Sequence, residues 1–174
     1  KNGWELAKQF LDTVSHYLTA DGKIFFLFSS LTNKERIDEI IKTNLLQFIE
    51  LERQKFSFET LLVYEITKTD ILRKLEAKGL EQVRYFTKGK RGMIYTALLD
   101  RNKLIKTHFP SKKDIIKVAI KIKREDSQAQ TSIENEIHWL LLLNKYMLGP
   151  KLLFHENNFL VYEFVEGIFI LDWI

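Results

Sequence analysis

The sequence has no cysteine, two prolines and seven glycines among its 174 residues. The lack of cysteine excludes disulfides, thiolate nucleophiles and cysteine-bound zinc, and it favours a reducing, cytoplasmic location. Long hydrophobic runs are lacking too. The longest apolar runs, 24–28 and 139–143, are far shorter than the roughly 20 residues that a membrane span requires. We therefore expect no membrane partner and no signal peptide.

Clusters of metal-ligating side chains are absent from the sequence pattern as well. The four histidines show no pairing with one another or with carboxylates at the spacing of metal ligands. They are His16, His108, His138 and His155. We interpret each histidine as an ordinary side chain with its hydrogen bonds satisfied, and we predict no metal ligand.

The charge is mildly basic, with a formal net charge of +4. The excess of lysine and arginine is spread over segments such as 88–91 and 121–124. A solvated surface is the default explanation of such segments, although basic patches also suit phosphate-bearing partners such as nucleotides or RNA. No segment matches a nucleic-acid-binding motif.

The first third of the chain alternates between helical and extended patterns. Apolar residues recur at helical spacing over 4–18, and a turn is predicted at 21–22. The nearly continuous apolar run 23–28 predicts a strand buried on both faces of a parallel sheet. Thr32 or Asn33 is the predicted N-cap of a short helix. The apolar stripe of this helix consists of Ile37, Ile40 and Ile41.

A hairpin and then a break in the pattern follow this helix. Segments 45–54 and 56–66 have the composition of two strands, joined by a tight polar connection at 53–55. Just beyond them, Thr69 or Asp70 can cap a further helix that Gly79 ends. We predict that the hairpin closes an α/β sheet. We place a domain boundary after it, between residues 67 and 68.

Beyond this boundary the pattern changes to short strands and one long helix. The helix is predicted over 132–147 and ends at Gly149-Pro150, and a polar loop is predicted over 106–114. The predicted strands cover 83–86, 93–99, 115–122, 152–155 and 159–164.

A glycine turn precedes the second of these strands. Gly89 and Gly92 lie three residues apart at a turn that leads into the strand containing Ile94. Because glycine has no side chain, the backbone can approach a ligand closely, and successive N–H groups form an anion-binding concavity. Taken alone, this pattern is more often an ordinary glycine hairpin.

The next strand carries a cation, and the long helix carries an anion. Alternation along 118–121 places Ala119 and Lys121 on the same face. Glu136 lies on the helix that follows, and the last strand leads into a Glu-Gly segment at 166–167. Taken singly, these features describe a half-exposed strand with a solvated lysine, a solvated glutamate and a buried strand with an acidic end.

In sequence order, these features together resemble the N-lobe of a protein kinase. The order is glycine turn, strand, Val-Ala-Ile-Lys strand, helix with Glu136, Gly149-Pro150, strand pair and Glu-Gly linker. The archaeal RIO-like group of serine/threonine kinases is the most similar, through an Asn-Glu pair at 135–136 and a Gly-Pro-Lys-Leu segment at 149–152. The resemblance covers about 71–174 and implies an antiparallel sheet with one long helix.

The resemblance implies a site for the phosphates of ATP. Gly89 and Gly92 match the second and third glycines of the phosphate-binding loop, whereas Thr87 stands where the first is expected. Lys121 would hold the α and β phosphates, and Glu136 would orient Lys121 through an ion pair.

The resemblance also implies a site for the adenine ring. Ile94 and Ala119 would sandwich the ring, and Tyr162 would stand at the back of the pocket. Glu163 to Val165 would form the interlobe linker, whose backbone groups meet the adenine edge.

Parts of the kinase pattern lie outside this sequence. The catalytic-loop aspartate, its asparagine and the metal-binding aspartate of the family would lie beyond Ile174, so no general base or magnesium ligand is assigned. Asp172-Trp173 would begin the first C-lobe helix, and the loop 106–114 would be an insertion. We expect these residues by themselves to bind nucleotide weakly and to transfer no phosphoryl group.

Three stretches of the first third carry a second, looser resemblance. They are Phe10-Leu11-Asp12, the run 22–27 followed by Ser29-Ser30-Leu31, and 58–64. They are similar to the C-terminal half of a class I, S-adenosylmethionine-dependent methyltransferase, in particular to archaeal relatives of the release-factor glutamine methyltransferases. The cofactor loop and the Asn-Pro-Pro-Tyr motif of that family do not occur here and would lie upstream. Any α/β sheet edge explains these stretches equally well.

We therefore predict an α+β chain of two incomplete domains. Residues 1–67 would be the C-terminal segment of a Rossmann-like methyltransferase fold, and 68–174 a protein-kinase-like N-lobe. The parent enzyme would transfer the ATP γ-phosphoryl group to a protein hydroxyl, with ATP and Mg²⁺ as cofactors. If the parent extends upstream of this sequence, it would also use S-adenosylmethionine.

Two alternatives stay open. In the first, the methyltransferase is the working enzyme and the kinase-like lobe is a passenger. In the second, the chain is a non-catalytic module whose basic face around 88–91 and 121–124 binds RNA, a ribosome-associated partner or another protein.

Overall fold

The computed structural model of the chain describes residues 3–89, 92–104, 114–123 and 133–167. Helices and strands are both present, and every described strand pairing is antiparallel. The chain divides into two compact units, with Gly79 ending the first and Leu80 beginning the second. The α+β class predicted from the sequence is confirmed. None of the described helices is both long enough and apolar enough to cross a membrane.

The first unit combines helices with a three-stranded sheet. Its helices are α1 (Trp4–Val14), α2 (Lys34–Thr43) and α3 (Asp70–Ala77), and its strands are β1 (Ile24–Ser29), β2 (Leu46–Lys55) and β3 (Thr60–Lys68). Short 3₁₀ turns follow α1 and β1. The sheet order is β1-β3-β2. The predicted order of helix, strand, helix and hairpin is thus confirmed.

Side chains cap two of these helices at predicted positions. The side-chain oxygen of Asn33 accepts a hydrogen bond from the N–H of Arg36 at 3.0 Å, at the start of α2. The hydroxyl oxygen of Thr69 accepts from the N–H of Leu72 at 3.4 Å, at the start of α3. Such caps satisfy backbone donors that have no partner within the helix. The buried stripe of α2 is the predicted one, with Ile37, Ile40 and Ile41.

Strand β1 differs from its prediction. Among the described residues it pairs with β3 alone, in the antiparallel sense. Phe25 and Leu27 are 66% and 62% exposed, whereas Phe28 is buried. The prediction of a strand buried on both faces of a parallel sheet is therefore wrong for the described structure. A continuous apolar run does not show whether one or both faces of its strand are covered.

The hairpin is confirmed, but its turn lies later than predicted. The N–H of Phe56 donates to the carbonyl of Glu59 at 2.8 Å, so the turn covers 56–59. The charged stretch 53–55 belongs to β2, where most side chains are exposed. The position of charged residues misled the prediction because an exposed strand face can be as polar as a turn.

Helix α3 lies in the first unit, so the units divide after Gly79 rather than after residue 67. Both the hydroxyl and the N–H of Thr69 donate to the carbonyl of Leu45, at 2.7 and 3.1 Å. The ammonium of Lys68 also pairs with Glu76 on α3. The predicted cap at Thr69 is confirmed. However, a capping pattern does not show which core the helix packs against.

The second unit is a five-stranded sheet with one long helix. The strands are β4 (Leu80–Lys88), β5 (Gly92–Asp100), β6 (Ile115–Lys123), β7 (Leu152–Glu156) and β8 (Phe159–Glu163), and the helices are the short α4 (Arg101–Leu104) and α5 (Ile133–Lys145). The sheet order is β4-β5-β6-β8-β7. The predicted strands and long helix are confirmed, with bounds that differ by a few residues. The predicted loop lies outside the described residues except for Asp114.

The end of α5 is tied to the start of β7 by one side chain. The amide nitrogen of Asn144 donates to the carbonyls of Leu148 and Pro150, at 3.2 and 2.9 Å. Its amide oxygen accepts from the N–H of Leu152 at 2.7 Å. Gly149, within this turn, has a φ of 73°, which glycine adopts without strain. The C-terminal end of α5 is therefore fixed to the sheet.

Candidate functional site

The strand register places several of the predicted site residues on one face of the second sheet. Lys121 lies opposite Ile94 on one side and Leu160 on the other. Ala119 lies opposite Tyr162. Cross-strand partners point to the same side of a sheet, as do residues two apart along a strand. Ile94, Ala119, Lys121 and Tyr162 therefore share one surface.

Helix α5 packs on this same face. Ile133 and Ile137 form a buried cluster with Leu160 of β8. The partly buried side chains around this cluster are Leu140, Leu152 and Tyr162. Apolar burial of this kind fixes the rotation of a helix about its axis. The packing leaves the side chain of Glu136, next to Ile137, at the strand that carries Lys121.

Lys121 and Glu136 form an ion pair between Nζ and Oε2. Their side chains are 16% and 29% exposed, respectively. The two residues are 15 positions apart and belong to different elements, so local helical spacing does not bring them together. The default interpretation of each residue, a solvated surface charge, does not describe this partly buried pair.

Gly92 stands directly beside the lysine. A Cβ atom at this position would lie 2.7 Å from the carbonyl oxygen of Ile122 and 3.1 Å from Cγ of Lys121. A side chain at position 92 would force its neighbours to shift, because these distances are shorter than van der Waals contact. Gly89 donates its N–H to the carbonyl of Gly92 at 2.9 Å. A Cβ at Gly89 would meet only that carbonyl, at 3.4 Å, so Gly92 is the more constrained of the two glycines.

Tyr162 packs against the α5 cluster and interacts electrostatically with Glu136 of the ion pair. Burial raises the pKa of its phenol above the ordinary value, and the negative charge of Glu136 adds to the increase. Both effects favour the neutral phenol over the phenolate. The structure thus brings Tyr162 close to the carboxylate that holds Lys121.

The predicted linker begins at the last residue of β8. Glu163 donates its N–H to the carbonyl of Lys151 at 2.9 Å, and Phe164 donates its N–H to the carbonyl of Lys117 at 3.1 Å. The side chain of Val165 is 69% exposed. Two of the linker donors are therefore engaged within the unit. The predicted start of a further helix at 172–173 lies outside the described residues.

Sequence reasoning missed an aromatic contact at this linker. The rings of Phe86 and Phe164 pack edge to face, with centroids 5.7 Å apart. The ammonium of Lys117 lies 4.0 Å from the centroid of the Phe164 ring. Phe86 directly precedes Thr87, which lies opposite Ile94. The closeness of Phe86 to the glycine turn was visible in the sequence, but its contact with a residue on another strand was not.

Sequence reasoning also missed Arg101. Its guanidinium donates from Nη2 to Oε1 of Glu163 at 2.8 Å, and Nη1 lies 3.6 Å from Oδ2 of Asp114. Arg101 follows β5 at the start of α4, where an arginine carries no motif. Only the folded chain shows that it reaches the linker.

The basic-surface interpretation stays a prediction. Lys121 is paired with Glu136, and Lys90, Arg91 and Arg124 lie outside the described residues.

No group of three or more His, Asp or Glu side chains that could hold a metal occurs in the part of the chain that the structure describes. One histidine differs from its prediction. Nε2 of His16 is buried and has no hydrogen-bond partner among the described residues. His16 lies in the 3₁₀ turn Ser15–Tyr17 after α1.

In the first unit, the polar residues of the methyltransferase-like stretches bond within the unit. The carboxylate of Asp12 accepts from the side-chain amide of Asn44 at 3.0 Å. The hydroxyl of Ser29 donates to Glu59 at 2.6 Å. Tyr64 is fully buried. These side chains hold the helices and the hairpin of the first unit together.

Comparisons of the chain with protein-family models, with curated proteins and with solved structures found no match.

Proposed function

We propose that the second unit is the ATP-binding lobe of a serine/threonine protein kinase, most similar to the RIO-like group. The parent enzyme would transfer the γ-phosphoryl group of ATP to a protein hydroxyl. The observation that carries the proposal is the partly buried ion pair between Lys121 and Glu136, placed beside the backbone of Gly92. In protein kinases, a strand lysine and a helix glutamate must form such a pair before the phosphoryl group is transferred.

The surroundings of the pair suit a triphosphate. The Lys121 side chain runs beside the backbone of Gly92, at the end of the turn that Gly89 closes. An ammonium held in place by a carboxylate is a fixed positive charge, and backbone N–H groups of a glycine turn can add hydrogen bonds to phosphate oxygens. Lys121 would therefore bind the α and β phosphates, and Glu136 would keep its ammonium directed at them.

The adenine ring would bind on the apolar part of the same face. Ile94 and Ala119 offer side chains without polar atoms, and Tyr162 would limit the depth of the site. Because the N–H groups of Glu163 and Phe164 already donate within the unit, the proposal assigns the adenine edge to the carbonyl of Glu163 and the backbone of Val165. The resemblance alone implied that any backbone group of Glu163 to Val165 could meet the adenine edge, so fewer groups are assigned here.

Magnesium neutralises phosphate charge in kinases and bridges the phosphate oxygens. The described residues offer no set of carboxylates for it, so its ligands and the catalytic base are assigned to the remainder of the parent enzyme. The residues of this unit would bind and orient the nucleotide. They would not move a proton.

The proposal includes a methyltransferase origin for the first unit. It is supported by the order of helix, strand and helix before a terminal antiparallel hairpin, β2 with β3. S-adenosylmethionine would bind upstream of these residues in a longer parent. Retention of labelled S-adenosylmethionine by the intact protein tests this part. Without retention, the first unit would be a scaffold and the methyltransferase would not be the working enzyme.

The test of the kinase proposal is ATP affinity, measured by titration calorimetry on the intact protein that contains this chain and its C-lobe. In Lys121→Ala we expect affinity to fall about tenfold or more, because a charge-assisted contact to phosphate is lost. Glu136→Gln keeps the shape of the side chain but weakens the hold on Lys121, so a smaller loss is expected.

Lys23→Ala is the matched control, because Lys23 also lies beside a strand and pairs with a glutamate, Glu65 of β3, at 2.9 Å. Its ATP affinity should equal that of the wild type. Unchanged affinity in Lys121→Ala would contradict the proposal. Binding to RNA that ignores ATP and collapses with added salt would favour the non-catalytic module instead.

A further inference from the structure

We infer that Arg101 is a positioning residue that holds the linker, taken here with Glu166 as 163–166, where the adenine edge meets it. The inference rests on the proposed function, because it gives a role to a residue outside the nucleotide surface. Arg101 would not contact the nucleotide. It would act through Glu163, whose carbonyl is assigned to the base.

Arg101 is itself well placed by its neighbours. Its N–H donates to the carbonyl of Asp114 at 2.9 Å, and its guanidinium lies between the carboxylates of Asp114 and Glu163. Oδ1 of Asp100 accepts from the N–H groups of Asn102 and Asp114, at 3.1 and 3.2 Å. The ends of β5 and the start of β6 are thus joined by short polar contacts. A fixed guanidinium loses less entropy when it forms an ion pair.

Lys117 makes a second contact with the same linker. Its carbonyl accepts the N–H of Phe164 at 3.1 Å, and its ammonium lies 4.0 Å from the centroid of the Phe164 ring. The ammonium is also 3.8 Å from Oε1 of Glu166. Arg101, in the connection from β5 to β6, therefore pairs with Glu163. Lys117, in β6, lies close to Glu166. Only the contact of Arg101 with Glu163 falls on a residue assigned to the adenine edge.

This placement predicts a separation between base recognition and phosphate recognition. If the linker moves, its backbone groups no longer match the adenine edge, whereas Lys121 and the glycine turn keep their geometry. A residue with a purely structural role would weaken both equally. The ratio of adenosine binding to triphosphate binding is therefore the informative quantity.

The experiment compares Arg101→Ala with the wild type in the intact protein, using three ligands: ATP, adenosine and inorganic triphosphate. The side chains of the pair are 44% and 29% exposed, so the contribution of the ion pair is modest. We expect ATP and adenosine affinities to fall about fivefold, with triphosphate affinity unchanged. Arg53→Ala is the matched control, because Arg53 forms an exposed pair with Glu50 in the first unit, with side chains 57% and 30% exposed. It should change none of the three affinities.

Glu163→Gln removes the same ion pair from the other side and keeps the inference testable if Arg101→Ala does not fold. Arg101→Lys keeps a positive charge near Asp114 and Glu163 and should retain most of the adenosine affinity. An equal loss of triphosphate affinity, or no loss for adenosine, would overturn the inference while leaving the proposed function in place. A wild-type protein that binds neither ATP nor adenosine would overturn both.

Discussion

Each unit contains a lysine on a strand that pairs with a glutamate on the next helix, and the two pairs have different surroundings. In the first unit, Nζ of Lys68 lies 2.7 Å from both carboxylate oxygens of Glu76, and the lysine side chain is only 4% exposed. In the second unit, Lys121 pairs with Glu136 through one oxygen and is 16% exposed.

The neighbours of the two lysines differ. They indicate a structural role for the pair of Lys68 and a candidate binding site at Lys121. Lys68 ends its strand next to the helix cap and donates to both oxygens of its partner. Lys121 lies in the middle of a sheet face, beside the backbone of Gly92 and opposite Ile94. An ion pair between strand and helix is therefore not a functional signal by itself. A small residue beside the ammonium and an apolar surface next to it are what a nucleotide would need.

The largest expected effect concerns Lys68. Lys68→Ala leaves the carboxylate of Glu76 without its partner, and breaking a buried pair typically costs about 3 kcal/mol or more. Because Glu76 keeps 30% of its side-chain surface exposed, we expect a loss of about 2–3 kcal/mol in the free energy of unfolding of the first unit. Hydrogen exchange of the amides in β3 and α3 measures it.

For Lys121→Ala we expect the opposite balance between the effect on stability and the effect on ATP affinity. There the loss of stability should be smaller and the loss of ATP affinity larger, whereas Lys68→Ala should bind ATP as the wild type does once folded. If both variants lost ATP affinity in proportion to their stability, the distinction between the two pairs would disappear.

The next effect distinguishes the two glycines. Gly92→Ala places a Cβ 2.7 Å from the carbonyl oxygen of Ile122, so β5 and β6 must shift apart next to Lys121. We expect destabilisation of about 1–3 kcal/mol together with weaker ATP binding, measured by urea unfolding and by titration. Gly89→Ala is the control, since its Cβ would lie 3.4 Å from its nearest neighbour. Equal costs at both glycines would show that the close approach at Gly92 is not the constraint.

The smallest expected effect is a pH dependence in the second unit. Burial raises the pKa of Tyr162 in the folded state, so the unfolded chain loses this proton at a lower pH than the folded chain. The stability contributed by the neutral phenol is complete below about pH 10 and is lost as the pH rises further. Burial also raises the pKa of Tyr95, so the decrease should be reduced, but not abolished, in Tyr162→Phe. Unfolding midpoints between pH 9 and 11, roughly spanning the usual tyrosine pKa, provide the measurement, and identical slopes in both proteins would contradict it.

Local signals in the sequence predicted most of the fold. Asn33 and Thr69 were both placed as possible caps, because a side-chain acceptor ahead of an apolar helical stripe has a direct physical role. The burial of β1 and the unit that receives α3 were not predictable in the same way. Both depend on contacts between residues far apart in sequence, which periodicity does not record.

The site shows the same division. Lys121 and Glu136 were singled out because a motif fixes their order, and the structure brings them together. The contact of Arg101 with Glu163 joins residues 62 positions apart with no motif at either end. The edge-to-face packing of Phe86 on Phe164 likewise depends on the strand order of the sheet. Long-range contacts of this kind require the folded chain.

The hydrogen bonds of Asn144 with Leu148, Pro150 and Leu152 hold the C-terminal end of α5 in place. If α5 tilted, this end would act as the hinge. Glu136 lies eight residues before Asn144, which corresponds to a lever of about 12 Å at 1.5 Å per residue. A tilt of about 15° around the hinge would carry the carboxylate about 3 Å along its arc, given that lever. Such a tilt would also pull Ile133 and Ile137 away from Leu160, so the buried cluster and the hinge together keep Glu136 at Lys121.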